Sequence, residues 1–436
     1  MNCRHITGLL FIMIASVTLS VGCNRTPNIP GISCISIRYD SGEVNFEVRN
    51  PCLVTYIDPI GDTVFRELPA GIRYRGNMAG EFEKKSYSLK LSAQKSIERF
   101  ATYKNWILNA AYVDKTFCRD KISYDLFRRF SPGNISPRIS YTELFINGQY
   151  KGMYLVVERM DERRLGLDTS DYSAVVFKES PVFQKPAGHE ENCAKLRDFL
   201  KTCSRYKNFS ESGMNKLLQE AYYNQRFPDM KDTDRTEVIN EISRFLFESS
   251  DEEFACPGKG VDSVFDLENI IDWHLLLLIT DNGDGIVKNF YLYRRSSQDK
   301  FCLCPWDYDH SFGRDGDGEP NPDSFLDCNR SVLIHRLTGI NAFDYNKRLS
   351  EKYYSLKQSG ILTPESLTAS VDSIVDMLGP FLIKNDQLWP VEEYVCPVTG
   401  KKHFEGSDSG KELKLMKDWI GKRFDKIEKY LAEIND

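Results

Sequence analysis

Apolar and polar residues alternate along much of the chain from residue 32 to about residue 110, and this alternation predicts a series of β-strands. Turns are predicted near Pro51 and at residues 59–62, where proline and glycine interrupt the alternation. The predicted strands cover residues 35–39, 44–48, 72–75, 86–91 and 106–110. This first part of the folded chain is therefore expected to be mainly β.

A helix and a hairpin are predicted next. Apolar residues recur every four positions from about Lys115 to Phe130, which predicts a helix with Asp114 as its cap. Residues 141–158 form two alternating runs around Asn147-Gly148, a dipeptide that strongly favours a two-residue β-turn.

Beyond residue 160 the apolar spacing becomes mainly helical. Helices are predicted at residues 193–205, 213–224, 234–248 and 267–280, with a C-terminal helix capped by Ser409 and short strands at 289–293 and 301–305. The pattern predicts an α+β fold with a β-rich lobe at 32–160 and a mainly helical lobe at 161–436. A ligand is expected between the two lobes.

The first 22 residues have the features of an export signal. A basic start leads into an apolar stretch at residues 6–19 that is too short to span a membrane. The run from Ser20 to Cys23 resembles a bacterial lipoprotein cleavage box, in which the Cys23 thiol receives the lipid. Residues 23–31 would then be the attachment site and tether of an exported cell-envelope protein held to the membrane by its lipid. Ser20 replaces the usual leucine, so ordinary secretion is the alternative.

Composition narrows the classes of partner. The 436 residues include 57 Lys plus Arg against 63 Asp plus Glu, a net charge of -6, so a nucleic-acid partner is not expected. Of the 12 cysteines, ten remain after Cys3 and Cys23 are set aside. In an exported chain these can form disulfides, and the alternative is that several are buried thiols.

Acidic and amide residues cluster after the predicted helix at 267–280. Asp284 and Asn289 follow this helix, and Asp307 begins a run that ends in Phe312-Gly313. Phosphoryl transfer needs a carboxylate to meet the acceptor hydroxyl, and it needs a carboxamide and a second carboxylate to hold Mg²⁺. The pattern therefore predicts a metal and phosphate site, and the alternative is a solvated acidic loop.

Positive side chains for the phosphates are available in the β-rich part. The candidates are Arg75, Lys85 and Lys90. In an alternating strand Lys90 shares a face with Ser86 and Ser88, so it can point out of the core toward a cleft. The alternative for a single strand lysine is a solvated charge.

Taken in order, these residues resemble the CotH kinase family, named for spore coat protein H. The resemblance extends over about residues 33–431. Its motifs are Arg75-Gly76-Asn77, Lys84-Lys85-Ser86-Tyr87, Trp106-Ile107-Leu108, Arg119, the hairpin run Gly148-Gln149-Tyr150-Lys151-Gly152-Met153-Tyr154 leading to Glu158, Asn289-Phe290-Tyr291-Leu292-Tyr293, Trp306-Asp307-Tyr308-Asp309 with Phe312-Gly313, and Trp419-Ile420 with Arg423.

The resemblance implies an atypical protein-kinase-like fold with two lobes, which transfers phosphate from ATP to Ser or Thr hydroxyls of a protein substrate with Mg²⁺ or Mn²⁺. It implies Asp284 as the base, with Asp307, Asn289 and Asp309 as metal ligands. Among the positive candidates it implies Lys90 as the phosphate contact, with Lys85 as its rival and Arg75 beside them.

One departure from ordinary protein kinases concerns the partner of this lysine. The predicted helix at 115–130 contains no glutamate, so Glu143 and Glu158 are the candidate partners. A catalytically inactive surface-binding or adhesion protein with the same fold is the alternative function, because ATP is scarce outside the cytoplasm.

Overall fold

The structure is a computed structural model in which strands dominate the first part of the folded chain and helices the second. It describes residues 31–40, 42–76, 80, 82–98, 100–171, 173–178, 241–242, 245–246, 249–286, 289–314, 325–391, 394–395, 402–403 and 408–436.

Seven strands close into a β-barrel. They are β1 Ser33–Arg38, β2 Asn50–Ile57, β3 Thr63–Arg75, β4 Ser86–Lys95, β5 Tyr103–Asn109, β6 Ile139–Ile146 and β7 Gln149–Glu158. Their order around the barrel is β1-β2-β3-β4-β5-β7-β6. Neighbouring strands are antiparallel except β1 and β6, which pair in parallel and close the barrel.

Alternation along each strand places one set of side chains inside the barrel. Tyr87, Leu89 and Leu91 of β4 are buried in the barrel core, whereas Lys90 between them is exposed. The turn between β6 and β7 has positive φ at both Asn147 (50°) and Gly148 (79°), as the tight hairpin turn requires. The predicted hairpin is confirmed.

Helices and two small sheets make up most of the remaining described chain. The elements are α1 Arg119–Phe130, α2 Glu162–Leu165, β8 Val175–Lys178, α3 Asp251–Phe254, α4 Val261–Val264, α5 Leu267–Thr280, β9 Phe290–Arg294, β10 Cys302–Pro305, α6 Val332–Ile340, α7 Tyr345–Gln358, α8 Pro364–Leu388, β11 Tyr394–Val395, β12 Lys402–His403 and α9 Ser409–Glu433. Strands β8, β9 and β10 form one antiparallel sheet, and β11 pairs with β12.

Helix α5 lies at the centre of the helical part. All of its residues except Glu268 are buried, and Asp266 caps its start by accepting from the amides of Glu268 and Asn269. Helices α1, α7 and α9 and strand β10 all pack against it. The site described below begins where α5 ends, so the apolar sequence of α5 gives that site a rigid base.

The α+β class is confirmed, and the closed barrel adds a feature that alternation along single strands cannot predict. The predicted strand at 44–48 is wrong, because the side-chain oxygen of Asn45 accepts from the amides of Glu47 and Val48 and turns the chain there. Pro51 was expected in a turn, but it lies within β2.

Two predicted helix starts also differ. Asp114 does not cap a helix at residue 115, because its carboxylate accepts from the amides of Thr116 and Arg119 and closes a turn before α1. Asp408 caps α9 in place of Ser409. The predicted helices at 193–205 and 213–224, and most of the one at 234–248, lie outside the described residues.

Helix α8 is the one helix among the described residues that is long and apolar enough to cross a membrane. Its apolar side packs against α9 and β7 in the structure. Several cysteines of the described chain form no disulfide, which favours thiols over disulfides at these positions. They are Cys52, Cys118, Cys256, Cys302, Cys304 and Cys328.

Candidate functional site

The loop that follows β10 holds Asp307 in an unusual backbone conformation. Asp307 has φ 59°, in the left-handed region that side chains other than glycine rarely adopt. Its amide donates to the Tyr124 hydroxyl at 2.8 Å, and its carbonyl accepts from the side-chain amides of Asn282 (3.2 Å) and Asn289 (3.1 Å). Three surrounding side chains therefore fix the backbone on both sides of the Asp307 carboxylate.

A turn after α5 brings Asp284 toward the same loop. The buried Asn282 accepts through Oδ1 from the amides of Asp284 (3.1 Å) and Gly285 (2.9 Å). The Asn289 amide then donates to the Asp284 carbonyl at 3.0 Å. Asn282 thus joins the Asp284 turn to the Asp307 loop, a role that its position in the sequence does not indicate.

Gly285 allows this turn to approach the loop closely. A Cβ at Gly285 would lie 3.0 Å from Cγ of Asn282 and 3.1 Å from the Tyr308 hydroxyl oxygen. Both neighbours are buried and packed, so a larger residue would push the turn away from the loop.

Five carboxylates converge around the Asp307 loop. Burial and the negative charges of Asp307, Asp114 and Asp284 raise the pKa of Asp309 well above its usual range. Burial and the charges of Asp309 and Asp307 likewise raise the pKa of Asp120, although Asp120 accepts from the Tyr308 amide at 2.6 Å. A cation placed among these groups would relieve their mutual repulsion.

The donor set is compatible with Mg²⁺ or Mn²⁺. Within the part of the chain that the structure describes, no three Asp, Glu, His or Cys side chains form a ready cage for an ion. Magnesium does not require such a cage, because it is usually held by one or two carboxylates together with water and substrate phosphates. Asp307, Asp309 and the carboxamide oxygen of Asn289 would supply oxygen ligands of the kind that such an ion prefers.

Of the three predicted cations, Arg75 contacts a residue beside Asp307. Its guanidinium lies 5.8 Å from the ring centre of Trp306, the residue before Asp307. Cross-strand pairing of Arg75 with Ser86, and of Gly71 with Lys90, places Arg75 and Lys90 on the outer face of the barrel. Lys85 donates to the Gly80 carbonyl at 2.6 Å.

Buried charges connect the Asp307 loop to α1 and α9. Arg119 donates to the Ser311 carbonyl at 2.9 Å and forms ion pairs with Asp114 (2.6 Å) and Glu412 (3.3 Å). Arg314 also pairs with Glu412. The sequence analysis identifies Arg119 only as part of a family motif. The sequence contains no sign that Glu412, near the C-terminus, is its ion-pair partner.

Lys84 is also buried, and its side chain joins the barrel to α8. Its Nζ donates to the carbonyls of Ala110 (2.8 Å) and Met153 (2.5 Å) and to Oδ1 of Asn385 (2.9 Å). Gly152 has φ 91°, and a Cβ there would lie 2.7 Å from Oδ1 of Asn385. The second glycine of the hairpin motif therefore permits close contact between β7 and α8.

The two glutamates that were candidate partners of the phosphate-binding lysine pair with residues other than Lys90 and Lys85. Glu143 binds Lys384 of α8 at 2.9 Å, and Glu158 binds Arg164 at 2.8 Å. Cys23, the predicted lipidation residue, lies outside the described residues.

Comparison with known proteins identifies relatives for most of the chain. A family model described as CotH kinase protein matches residues 72–427. The chain is also similar to a protein named inner spore coat protein H from Bacillus subtilis (strain 168). The two are 25% identical over 328 residues, which cover 74% of this chain and 81% of the relative.

Proposed function

The chain belongs to the CotH kinase protein family, and from this premise we propose that it transfers phosphate from ATP to Ser or Thr hydroxyls of a protein substrate with Mg²⁺ or Mn²⁺. In this proposal the fold is a two-lobed kinase-like arrangement in which the barrel replaces an open N-terminal sheet. The observation that carries the proposal is the convergence of Asp284, Asn289 and Asp307 through a shared set of backbone hydrogen bonds.

Each acidic residue has a distinct role in this proposal. Asp307, with Asn289 and Asp309, would hold the divalent cation, which when bound neutralises the charge on the phosphates. Asp284 would accept a hydrogen bond from the substrate hydroxyl, orient it toward the γ-phosphate and receive its proton. The hydrogen bonds through Asn282 keep these two functions at a fixed separation, because they connect the turn of one residue to the loop of the other.

The phosphates also need positive charge from the barrel. Contact between Arg75 and the Trp306 ring supports Arg75 as a phosphate-binding residue, since Trp306 immediately precedes Asp307. Lys90 lies on the same outer face of the barrel and is the second candidate. In the Lys90→Met variant the apparent ATP affinity should fall with little loss of fold, and an unchanged affinity would assign the role to Arg75 or Lys85.

Intact mass of the purified full-length protein, measured after incubation with Mg²⁺ or Mn²⁺ and ATP, tests the proposal. A gain of one or more phosphates on the protein or on an added protein substrate is expected. If no phosphate is transferred while the fold is intact, the catalytically inactive surface-binding protein becomes the better description.

Two matched substitutions separate metal binding from proton transfer. Asp307→Asn should abolish both phosphate transfer and metal-dependent ATP binding, because the charge of the triphosphate is left uncompensated. Asp284→Asn should retain ATP binding but lose roughly a hundredfold in turnover, the range expected for loss of a general base. Thermal unfolding with Mg²⁺ and ATP measures the binding, since ligand at about 100 times its Kd adds roughly 2.7 kcal/mol of stability. Equal responses from both variants would contradict these roles.

We also propose that the protein is exported and held at the bacterial cell envelope by a lipid on Cys23. The signal-like residues 1–22 and the small residues before Cys23 support this proposal, as does a coat location in the name of the Bacillus relative. Cys23→Ser should release the protein from the membrane fraction or leave it as precursor. A wild-type protein without lipid would contradict this.

A further inference from the structure

Helix α1 contacts the Asp307 loop at three successive points. Tyr124 accepts from the Asp307 amide at 2.8 Å, Asp120 accepts from the Tyr308 amide at 2.6 Å, and Arg119 donates to the Ser311 carbonyl at 2.9 Å. Positions 120 and 124 lie one helical turn apart and therefore on one face of α1. A single rigid helix thus fixes the backbone of the loop over five residues.

The contacts at Asp120 and Tyr124 form one connected set. Tyr124 and Asp120 accept from two consecutive backbone amides, those of Asp307 and Tyr308. Both side chains are buried, with exposures of 3% for Asp120 and 2% for Tyr124. Water therefore cannot readily replace either partner, and the loss of one oxygen would leave the Asp307 amide without an acceptor.

Asp307 needs this support because of its backbone conformation. The left-handed φ of 59° directs its carboxylate away from the direction that an extended loop would give, and such conformations persist only where the surroundings impose them. Asn282 and Asn289 donate to the carbonyl of the residue, whereas Tyr124 of α1 accepts from its amide.

We propose that Tyr124 and Asp120 are positioning residues, through which helix α1 sets the Asp307 carboxylate for the divalent cation. This inference rests on the proposed function, since it assigns a role within the same site. Ordinary protein kinases couple the corresponding helix to the site through a glutamate–lysine pair, and α1 contains no glutamate. Here α1 contacts the Asp307 loop directly, through hydrogen bonds to the backbone of that loop.

The main test is Tyr124→Phe, which removes one oxygen and keeps the ring. The Mn²⁺ concentration for half-maximal ATP binding, measured by thermal unfolding, should rise roughly tenfold or more, as for other residues that orient metal ligands. Amide hydrogen exchange at residues 307–308 should quicken without Mn²⁺ or ATP.

Tyr141→Phe is the matched control. Tyr141 is equally buried at 3% exposure, and its hydroxyl donates to the Phe117 carbonyl at 3.0 Å, away from the loop. Tyr141→Phe removes a hydroxyl from a similarly buried ring, so it should reduce the free energy of unfolding about as much as Tyr124→Phe does. The Mn²⁺ dependence of ATP binding should stay unchanged in this control. If the two variants change Mn²⁺ dependence equally, the inference is overturned.

Asp120 is tested by a pair of substitutions. Asp120→Asn keeps an oxygen that can accept from the Tyr308 amide, so the Mn²⁺ concentration for half-maximal ATP binding should change little. In Asp120→Ala, which has no such oxygen, this concentration should rise roughly tenfold. If Asp120→Asn is as damaging as Asp307→Asn, Asp120 is itself a ligand and the positioning role is wrong.

Failure of the proposed function has a different signature. A folded wild-type protein that neither binds Mn²⁺ with ATP nor transfers phosphate overturns the proposed function and this inference together. An active wild type with an equally active Tyr124→Phe variant overturns this inference alone.

Discussion

Buried cations connect the N-terminal half of the chain to its C-terminal helices, and two of these seams, at Lys84 and at Arg119, differ in how each charge is satisfied. At the Lys84 seam, between the barrel and α8, three neutral oxygens surround the ammonium group. At the Arg119 seam, between α1, the Asp307 loop and α9, carboxylates surround the guanidinium group.

The two seams differ in how strictly they fix the geometry of the groups around them. Arg119 and Arg314 face Asp114 and Glu412, so charges balance within the interior and the planar guanidinium groups fix directions as well as distances. Lys84 gains hydrogen bonds but little compensation of charge, which is adequate for holding a hairpin against a helix. The Asp307 loop therefore lies at the seam with the stricter geometry.

The largest effect is expected from breaking the Arg119 seam. Arg119→Met should destabilise the protein by about 3–5 kcal/mol, because it removes the positive charge that faces the buried carboxylates of Asp114 and Glu412. Chemical denaturation measures this. Arg119→Lys is the control that keeps the charge without the planar geometry, and it should lie between wild type and Arg119→Met. An unchanged stability in both variants would show that the ion pairs contribute nothing.

Lys84→Met should cost less, about 1–3 kcal/mol, because it leaves neutral acceptors without a donor instead of leaving unpaired charges. Lys85→Met is the matched control, since Lys85 donates to Gly80 at a half-buried position and its loss should cost under about 1 kcal/mol. If Lys84→Met is more stable than wild type, burying the ammonium costs more than its hydrogen bonds return.

The contribution of Lys84 to the free energy of unfolding should depend on pH. Burial, with a smaller contribution from the charge of Lys115, holds the pKa of Lys84 well below its usual range. The unfolded chain then binds more protons than the folded chain, so this contribution to stability rises with pH up to the unfolded lysine pKa near 10.4.

The difference in unfolding free energy between wild type and Lys84→Met should therefore widen as the pH rises toward the unfolded lysine pKa near 10.4. Denaturation curves of the two proteins at several pH values measure it. Parallel pH profiles would mean that Lys84 keeps its ordinary affinity for the proton when buried.

The smallest change in stability is expected from breaking an ion pair on the surface. Arg348 contacts Glu268 at 2.7 Å, but the Glu268 side chain is 63% exposed. Arg348→Met should change stability by about 0–1 kcal/mol, and added salt should reduce even this effect. A cost as large as that of Arg119→Met would mean that burial does not decide the difference between these ion pairs.

Some elements were predictable because their signals are local. Helix α5 begins and ends where its apolar pattern does, at Leu267 and Thr280, and the β6–β7 hairpin follows from Asn147-Gly148. Helix α1 was predicted four residues too early, because Asp114 closes a turn with its own neighbours instead of capping a helix. Helices α6 to α8 were not predicted individually.

The α+β class, the family resemblance and the acidic and amide residues that flank β9 and β10 could be predicted from the sequence alone. Those features depend on side-chain period and on motifs a few residues long. Closure of the barrel by the parallel pairing of β1 with β6, the pairing of Arg119 with Glu412 across 293 positions and the hold of α1 on Asp307 were decided only by tertiary structure. The physical reason is that buried hydrogen bonds and ion pairs take their partners from whichever elements pack nearby, and spacing along the chain does not record that packing.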